Sequence, residues 1–345
     1  MAKTKISIND IATKLNISKT TVSFILNGKA KEKRISDKLV AKVLKKVEEL
    51  GYQPNQFAKG LRTGRTNILG LMVEDISNPF FASIAKEIEE KAYQNKYKIV
   101  YCSTENDKER AKEFLTMFST LGVDGCIISP TMGMEEHIKK MVDTGMNVIL
   151  FDRKFENTSN NVVKVNNIEG VYSAVTHLVD RGYKQIALVA LTLDSPEKEE
   201  RIIGYKNAVT DYGLDAHIFP LPFKNDYLDY VEDIMKILEK NKNLDSIIFS
   251  TNYLGISGLE AINNLGLKIP DDLAIISFDD HDLFRIHKPN ITVVSQPIKQ
   301  LSHTAMDMLL ERLQCNNKDK EESEHKTVTL CTNLIVREST EYKKK

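Results

Sequence analysis

The stretch Ser7-Ile-Asn-Asp10-Ile-Ala-Thr-Lys-Leu15-Asn-Ile-Ser18-Lys-Thr-Thr-Val-Ser-Phe-Ile-Leu-Asn27-Gly28 reads as two short helices joined by a tight turn. Ile8, Ile11, Ala12 and Leu15 follow the i, i+3, i+4, i+7 spacing of an apolar helix face. Ser7 stands at the N-cap with Asp10 three residues on, so each side chain can satisfy a backbone N–H beside the other. Asn16-Ile17 makes the turn. Ser18 caps a second helix with Val22, Ile25 and Leu26 on its apolar face, and Asn27-Gly28 stops it. Ser36 caps a third helix carrying Leu39, Val40, Val43, Leu44, Val47 and Leu50, which ends at Gly51. Two short helices at a tight turn, closed by a third, are the layout of a helix-turn-helix. The second helix opens with small polar side chains, Ser18, Lys19, Thr20, Thr21 and Ser23. These approach base edges and phosphates without steric conflict, and a helix N-terminus itself favours phosphate. A plain three-helix bundle with a polar outer face would show the same periodicity, so the decision falls to charge.

Across all 345 residues, 48 Lys+Arg balance 48 Asp+Glu, which on its face argues against a nucleic-acid partner. The balance is uneven along the chain. Residues 1–66 hold fifteen basic and five acidic residues, a net +10, and the remainder carries −10. Such asymmetry indicates a basic nucleic-acid module joined to an acidic body. The length suits two or three domains, and 41% apolar residues suffice for their cores. Met1–Leu15 contains no secretory apolar region, and no apolar run reaches the ~18 residues of a membrane span, so a cytoplasmic location is expected. Cys102, Cys126, Cys315 and Cys331 are far apart, with no C-x-x-C pair, and read as reduced thiols. The chain has no phosphate-loop, nucleophile-elbow, zincin or dinucleotide fingerprint, and its seven histidines are scattered. Asp279-Asp280-His281 reads as a turn rather than a metal site. Neither catalysis, a cofactor nor a metal is expected.

From Asn67 onward, apolar strand-like runs alternate with helical patterns. Strands are expected at 68–73, 98–102, 125–129 and 147–151, then at 185–190, 246–250 and 274–277. Helices are expected at 80–94, 108–121, 168–181, 201–212 and 255–265. Two such series imply two α/β lobes, each a doubly wound parallel sheet, with ligands at the carboxyl ends of the strands. Those ends carry Glu74-Asp75, Asn78-Pro79-Phe80-Phe81, Ser103-Thr-Glu105-Asn106, Ser129, Asp152-Arg153, Asn252-Tyr253 and Asp279-Asp280. Carboxylates, amides and aromatic faces together suit a polyhydroxylated ligand, although any one of them also serves as a helix cap or turn.

Three N-terminal pieces recur in fixed order: Ile8-x-Asp10-Ile-Ala12, Ser18-Lys-Thr-Thr-Val-Ser23-x-x-Leu26-Asn-Gly28 and Leu50-Gly-Tyr52-x-Pro54-Asn55. Body segments continue the pattern, among them Asp75-x-x-Asn78-Pro-Phe-Phe81, Gly122-Val-Asp-Gly125, Glu200-Arg201-x-x-Gly204-Tyr205, Phe278-Asp-Asp280 and Gln296-Pro297. Over nearly its whole length the chain resembles the lactose-repressor (LacI/GalR) family of bacterial transcription regulators. The resemblance implies a periplasmic-binding-protein-like body behind the helix-turn-helix. It divides the chain into 1–52, a hinge at 53–66 and an effector-binding, dimerising body at 67–345. The body's N-lobe would span about 67–165 and 297–328, and its C-lobe about 166–296 and 329–345.

By the same resemblance, Lys19 and Thr20 stand at the main specificity positions, with Ser7, Ser18, Thr21, Ser23 and Asn27 on backbone or groove edges. Ile8, Phe24, Arg34, Asn55 and Arg62 complete the candidate DNA contacts. Phe24 departs from the family, which usually has Arg there, and the Lys29–Arg34 loop is longer and more basic than usual. The hinge opens at Pro54 and places Phe57, Ala58 and Leu61 on one face. Leu61, with Ala58 beside it, takes the place of the family's wedge into the minor groove, which costs a few kcal/mol of unstacking. Gly60 lowers helix propensity by about 1 kcal/mol, so this segment is expected to fold on DNA.

The implied cleft residues are Asn78, Phe80, Phe81, Asp152, Arg201, Phe223, Asn252, Asp279 and Gln296, with Ser129 added from its strand end. Tyr253 replaces the Asp that usually holds sugar or ribose hydroxyls, and Ser195 and Glu197 occupy variable specificity positions. Tyr donates one hydrogen bond and stacks, but cannot accept bidentately. The expected protein is a homodimeric repressor on pseudo-palindromic double-stranded operator DNA, controlled by a small ligand, first of all a carbohydrate. A purine-like corepressor or a protein partner is the alternative. A solute-binding protein and an α/β enzyme with an appended DNA module are the readings from other classes; the basic first 66 residues argue against the former.

Overall fold

The computed structural model describes residues 6–52, 65–155, 160–192, 196–224, 226–314 and 325–341, with the side chains of 196–198 excepted. The chain divides into two compact units, Met1–Thr66 and Asn67–Lys345. In the first, helices Ile8–Leu15, Lys19–Leu26 and Asp37–Glu49 close on Ile11, Ala12, Leu15, Val22, Ile25 and Val43. The Ser7 hydroxyl accepts from Asp10 N–H at 3.3 Å, and Asp10 Oδ2 accepts from Ser7 N–H at 2.7 Å, a reciprocal capping box. Asn16 turns the chain with φ 51°, a left-handed conformation that Asn tolerates better than most side chains. Ser18 and Ser36 cap the next two helices, accepting from Thr21 N–H at 3.0 Å and Leu39 N–H at 3.4 Å.

The body holds two sheets, each of six strands among the described residues. Strands β1 (Ile68–Val73), β2 (Lys98–Ser103), β3 (Gly125–Ile128), β4 (Asn147–Phe151), β5 (Asn161–Val165) and β11 (Thr327–Leu330) form one, ordered β11-β5-β4-β3-β1-β2 and parallel throughout. Strands β6 (Ile186–Leu191), β7 (His217–Leu221), β8 (Ser246–Phe249), β9 (Ala274–Phe278), β10 (Thr292–Ser295) and β12 (Asn333–Ile335) form the other, ordered β12-β10-β9-β8-β6-β7. Here β12 runs antiparallel to β10, a departure from the all-parallel expectation. The reason is the last crossing: only Cys331-Thr332 separates β11 from β12, so the chain enters the second sheet from its neighbour rather than through a crossover helix.

The chain passes between the sheets three times: after β5, between β10 and the helix Ile298–Gln314, and after β11. That helix packs in the first lobe, where Leu301, Ala305, Met306 and Leu309 join the core of β1, β3 and β4. In the second lobe, helices Asn167–Asp180 and Pro196–Asp211 approach closely at Gly204. A Cβ there would stand 2.3 Å from the Ile168 carbonyl oxygen, so no larger residue fits. No helix among the described residues is long and apolar enough to cross a membrane.

Candidate functional site

On the first unit, Ser18, Lys19 and Thr20 are exposed at the start of the second helix, which has no acidic residue in its first turn. Ser18 Oγ lies 2.8 Å from Thr21 Oγ1, and Asn27 Nδ2 donates to Ser23 O at 2.6 Å. These neighbours brace one another and leave Lys19 and Thr20 projecting. Phe24, half-buried, faces the basic loop: Lys33 Nζ lies 5.5 Å from its ring centre, and Lys29 N–H donates to Phe24 O at 2.9 Å. An exposed cation over an aromatic face stabilises by about 0.5–1 kcal/mol, so Phe24 anchors this loop. Arg34 is exposed with φ 53°, while Ser7 is exposed and Ile8 half-buried against the core.

In the body, the carboxyl ends of the two sheets enclose a polar cleft. Asp152 follows β4 and Asp279 follows β9, the same position in each sheet. Both are buried, both have left-handed backbone (φ 66° and 68°), and both N–H groups donate to the neighbouring strand at 2.9 Å, to Val163 O and Val294 O. Each lobe thus turns an acid inward with the same device. Gln296 Nε2 donates to Asp279 Oδ1 at 2.6 Å, while the buried Gln296 Oε1 has no hydrogen-bond partner. Arg201 is buried, donating from Nε to Asn167 Oδ1 at 2.9 Å and from its terminal nitrogen to Ser250 O at 2.5 Å. Its guanidinium lies 3.7 Å from the Phe278 ring centre. Held on three sides, it is pre-positioned for a ligand oxygen.

Across the cleft, Asn252 Nδ2 donates to Asn78 Oδ1 at 2.9 Å, joining the lobes. Asn78 also caps the helix Pro79–Gln94, accepting from Phe80 N–H at 3.0 Å. Asn78 therefore serves as a cap and faces the cleft as well. Glu74, Asn78, Phe80, Phe81, Asp152, Arg153, Arg201, Thr251, Tyr253, Asp279 and Gln296 line an inner cavity of 30 Å³. An outer cavity of 740 Å³ adjoins it, sharing Glu74, Asn78 and Tyr253 and adding Phe223, Lys224, Tyr227, Asn252, Ile256 and His281 among its walls. Burial pushes the Tyr253 phenol well above its usual range, and its hydroxyl has no hydrogen-bond partner.

Ten of the eleven cleft residues expected from sequence line one cavity or the other. Ser129 does not. Its N–H continues the parallel ladder to Met72 O at 2.8 Å, and its side chain is buried. Asp280 is held by Arg337 through bonds of 2.9 and 2.7 Å. Sequence reasoning did not assign Glu74 and Arg153, a buried ion pair on the wall of the inner chamber, nor Thr251, Lys224, Tyr227, Ile256, His281 and Leu283. The charged ends of β1 and β4 hinted at the first two; an aromatic residue in a polar loop was the only signal for Tyr227. Asn55, Ala58, Leu61, Arg62 and Ser195, and the Glu197 side chain, lie outside the described residues.

Residues 7–55 match the family model "Bacterial regulatory proteins, lacI family", and residues 175–340 match a periplasmic binding protein-like domain. Catabolite control protein A of Priestia megaterium is 30% identical over 344 residues, spanning 97% of this chain and 99% of that protein. A LacI family transcriptional regulator from Enterococcus faecium, solved with bound ribose, is 27% identical with a TM-score of 0.70, covering 80% of this chain and 100% of that one. The lac repressor dimer bound to operator and the anti-inducer ONPF shares the fold, with a TM-score of 0.82 at 21% identity over 98% of this chain and 100% of that one. Helix-turn-helix, two-lobed body and full-length likeness agree: the chain belongs to the lacI family of bacterial regulatory proteins, DNA-binding regulators of transcription.

Proposed function

We propose that this regulator is a cytoplasmic, homodimeric repressor without catalytic activity, whose hold on a pseudo-palindromic operator is set by a carbohydrate bound between its lobes. The observation that carries the ligand reading is the Asn78–Asn252 bond across the mouth of a polar cleft, with Arg201, Asp152 and Asp279 deeper on its inner wall. Amides, carboxylates and a fixed guanidinium converging from two lobes suit hydroxyl groups, and the ribose held by the E. faecium relative supports the same class. The carboxylates there are each held by a donor, Glu74 by Arg153, Asp279 by Gln296 and Asp75 by Ser77, as suits binding rather than an activated nucleophile.

On the first unit, Lys19 and Thr20 read bases while Ser7, Ile8, Ser18, Thr21, Ser23, Phe24, Asn27 and Arg34 set the helix on the duplex. Asn55, Ala58, Leu61 and Arg62 form the hinge contacts, with Leu61 as the wedge. Two copies supply two recognition helices, hence an inverted repeat. Ligand changes the lobe arrangement and with it the spacing of the paired hinges. A decisive switch needs ~10⁴-fold preference for one arrangement. The test is selection of bound sites from random duplex DNA with the full chain. The wild type should recover an inverted repeat, and Lys19→Ala or Thr20→Ala should change the recovered half-site. The same half-site from all three proteins would remove these residues from base reading.

A further inference from the structure

Tyr253 divides the cleft. It lines both cavities, and Glu74 and Arg153 stand with it on the wall of the inner one. The ring sits 6.1 Å from that of Tyr230, whose hydroxyl accepts from Lys224 N–H at 2.6 Å, so a fixed wall backs it. The inner cavity is left with 30 Å³. A water needs roughly 10–15 Å³ on this measure, so the space holds about one or two waters and no sugar ring.

The outer chamber, at 740 Å³, has the size of a small-ligand site, typically about 300–1,000 Å³. Its walls are of two kinds. Phe223, Tyr227, Ile256 and Leu283 offer apolar and aromatic faces, and Tyr227 stays 46% exposed inside a concave site, an arrangement typical of ligand grooves. Asp75, Glu105, Asn78, Asn252 and His281 supply polar groups. The charged side chains of the chamber are engaged, Glu74 with Arg153, Glu105 with Arg110 at 2.6 Å, Lys224 with Asp233 at 2.6 Å and Asp75 with the Ser77 hydroxyl at 2.7 Å, which favours a neutral, hydrogen-bonding ligand over an ion.

We infer that the effector is a neutral glycoside of two rings lying in the outer chamber, one ring against Tyr227 and Phe223 and the other at Asn78 and Asn252, with Tyr253 excluding single sugars from the inner pocket. The inference rests on the carbohydrate reading above and narrows it. The test is calorimetric titration of the full chain with cellobiose, maltose, lactose and trehalose, and with glucose, galactose and ribose. The wild type should bind at least one disaccharide, with its component monosaccharides weaker by about tenfold or more, since they leave the aromatic wall uncovered. Tyr253→Ala should open the inner pocket and gain monosaccharide binding, whereas Tyr253→Phe, which keeps the volume, should not. Tyr227→Ala should weaken the disaccharide about tenfold and leave the monosaccharides unchanged. Circular dichroism establishes folding, and the Phe and Tyr227 variants carry the test if Tyr253→Ala does not fold. A monosaccharide binding the wild type as tightly as the disaccharides that contain it overturns this inference and leaves the carbohydrate reading standing. No binding by any of the seven sugars overturns both.

Discussion

Glu74 and Arg153 stand 79 residues apart and meet as an ion pair with 7% and 5% of their side chains exposed. Arg153 also donates to Asn106 Oδ1 at 2.7 Å. Breaking a buried ion pair costs up to about 3–5 kcal/mol, and here Asp152 Oδ2, 3.7 Å from Arg153 Nε, stays to hold part of the Arg153 charge. Glu74→Gln should therefore lower unfolding stability by less than that, about 1–3 kcal/mol in urea titration; no measurable loss would mean that Asp152 and solvent already balance Arg153. The pair was not legible in the sequence, because it depends on the strand order β4-β3-β1 that brings two distant strand ends together. Asn78, Asp152 and Asp279 were legible, since each follows an apolar run at the end of a strand. Arg201, lying inside a helix, was reached through family resemblance alone. Ser129, taken from the same rule, follows its strand but lines neither cavity.

The helices of the first unit were legible through their caps, since Ser7, Ser18 and Ser36 announce each start and Asn16, Asn27 and Gly51 each stop. In the body, β7 was missed because it carries Pro220 at a sheet edge, where the missing N–H costs no ladder bond. Strands β5, β10, β11 and β12 were missed because runs of three to five residues with polar members show no decisive period. The helix pair at Gly204 makes its own prediction. Gly204→Ala must push the Ile168 backbone away and should cost about 1–3 kcal/mol despite better helix propensity, seen as a lowered thermal midpoint; a raised midpoint would show that the helices can part freely. Helix Asn167–Asp180 also carries His177, bonded to Thr340 Oγ1 at 2.9 Å. Burial, aided by Arg181, holds its pKa below the ordinary 6.5, so the folded chain binds fewer protons there than the unfolded chain. Its contribution to stability is whole above 6.5 and declines as pH falls through that value towards the lowered one. Thermal midpoints of the wild type and His177→Gln should converge or cross as pH drops from 7.5 to 5, and parallel curves would remove His177 from the pH response.

At the scale of the whole molecule, zero net charge is the sum of a +10 segment and a −10 remainder. The basic segment contains the helix-turn-helix, and the acidic remainder is the body with the polar cleft. This partition favours duplex contact by the first unit alone and makes it salt-sensitive, with a slope of about −0.9 in log K against log salt per phosphate neutralised. The coupling between the two parts is the central claim, and operator affinity with and without a bound sugar tests it most directly. The duplex would come from site selection and the sugar from calorimetry, at one fixed salt concentration. Fluorescence anisotropy should show the sugar shifting the wild-type Kd by about 5–150-fold, the usual range of allosteric coupling. Asn252→Ala, which removes a polar wall of the outer chamber, should bind the duplex as the wild type does and show little or no shift. An unchanged wild-type Kd at a sugar concentration that saturates the cleft would contradict the claim.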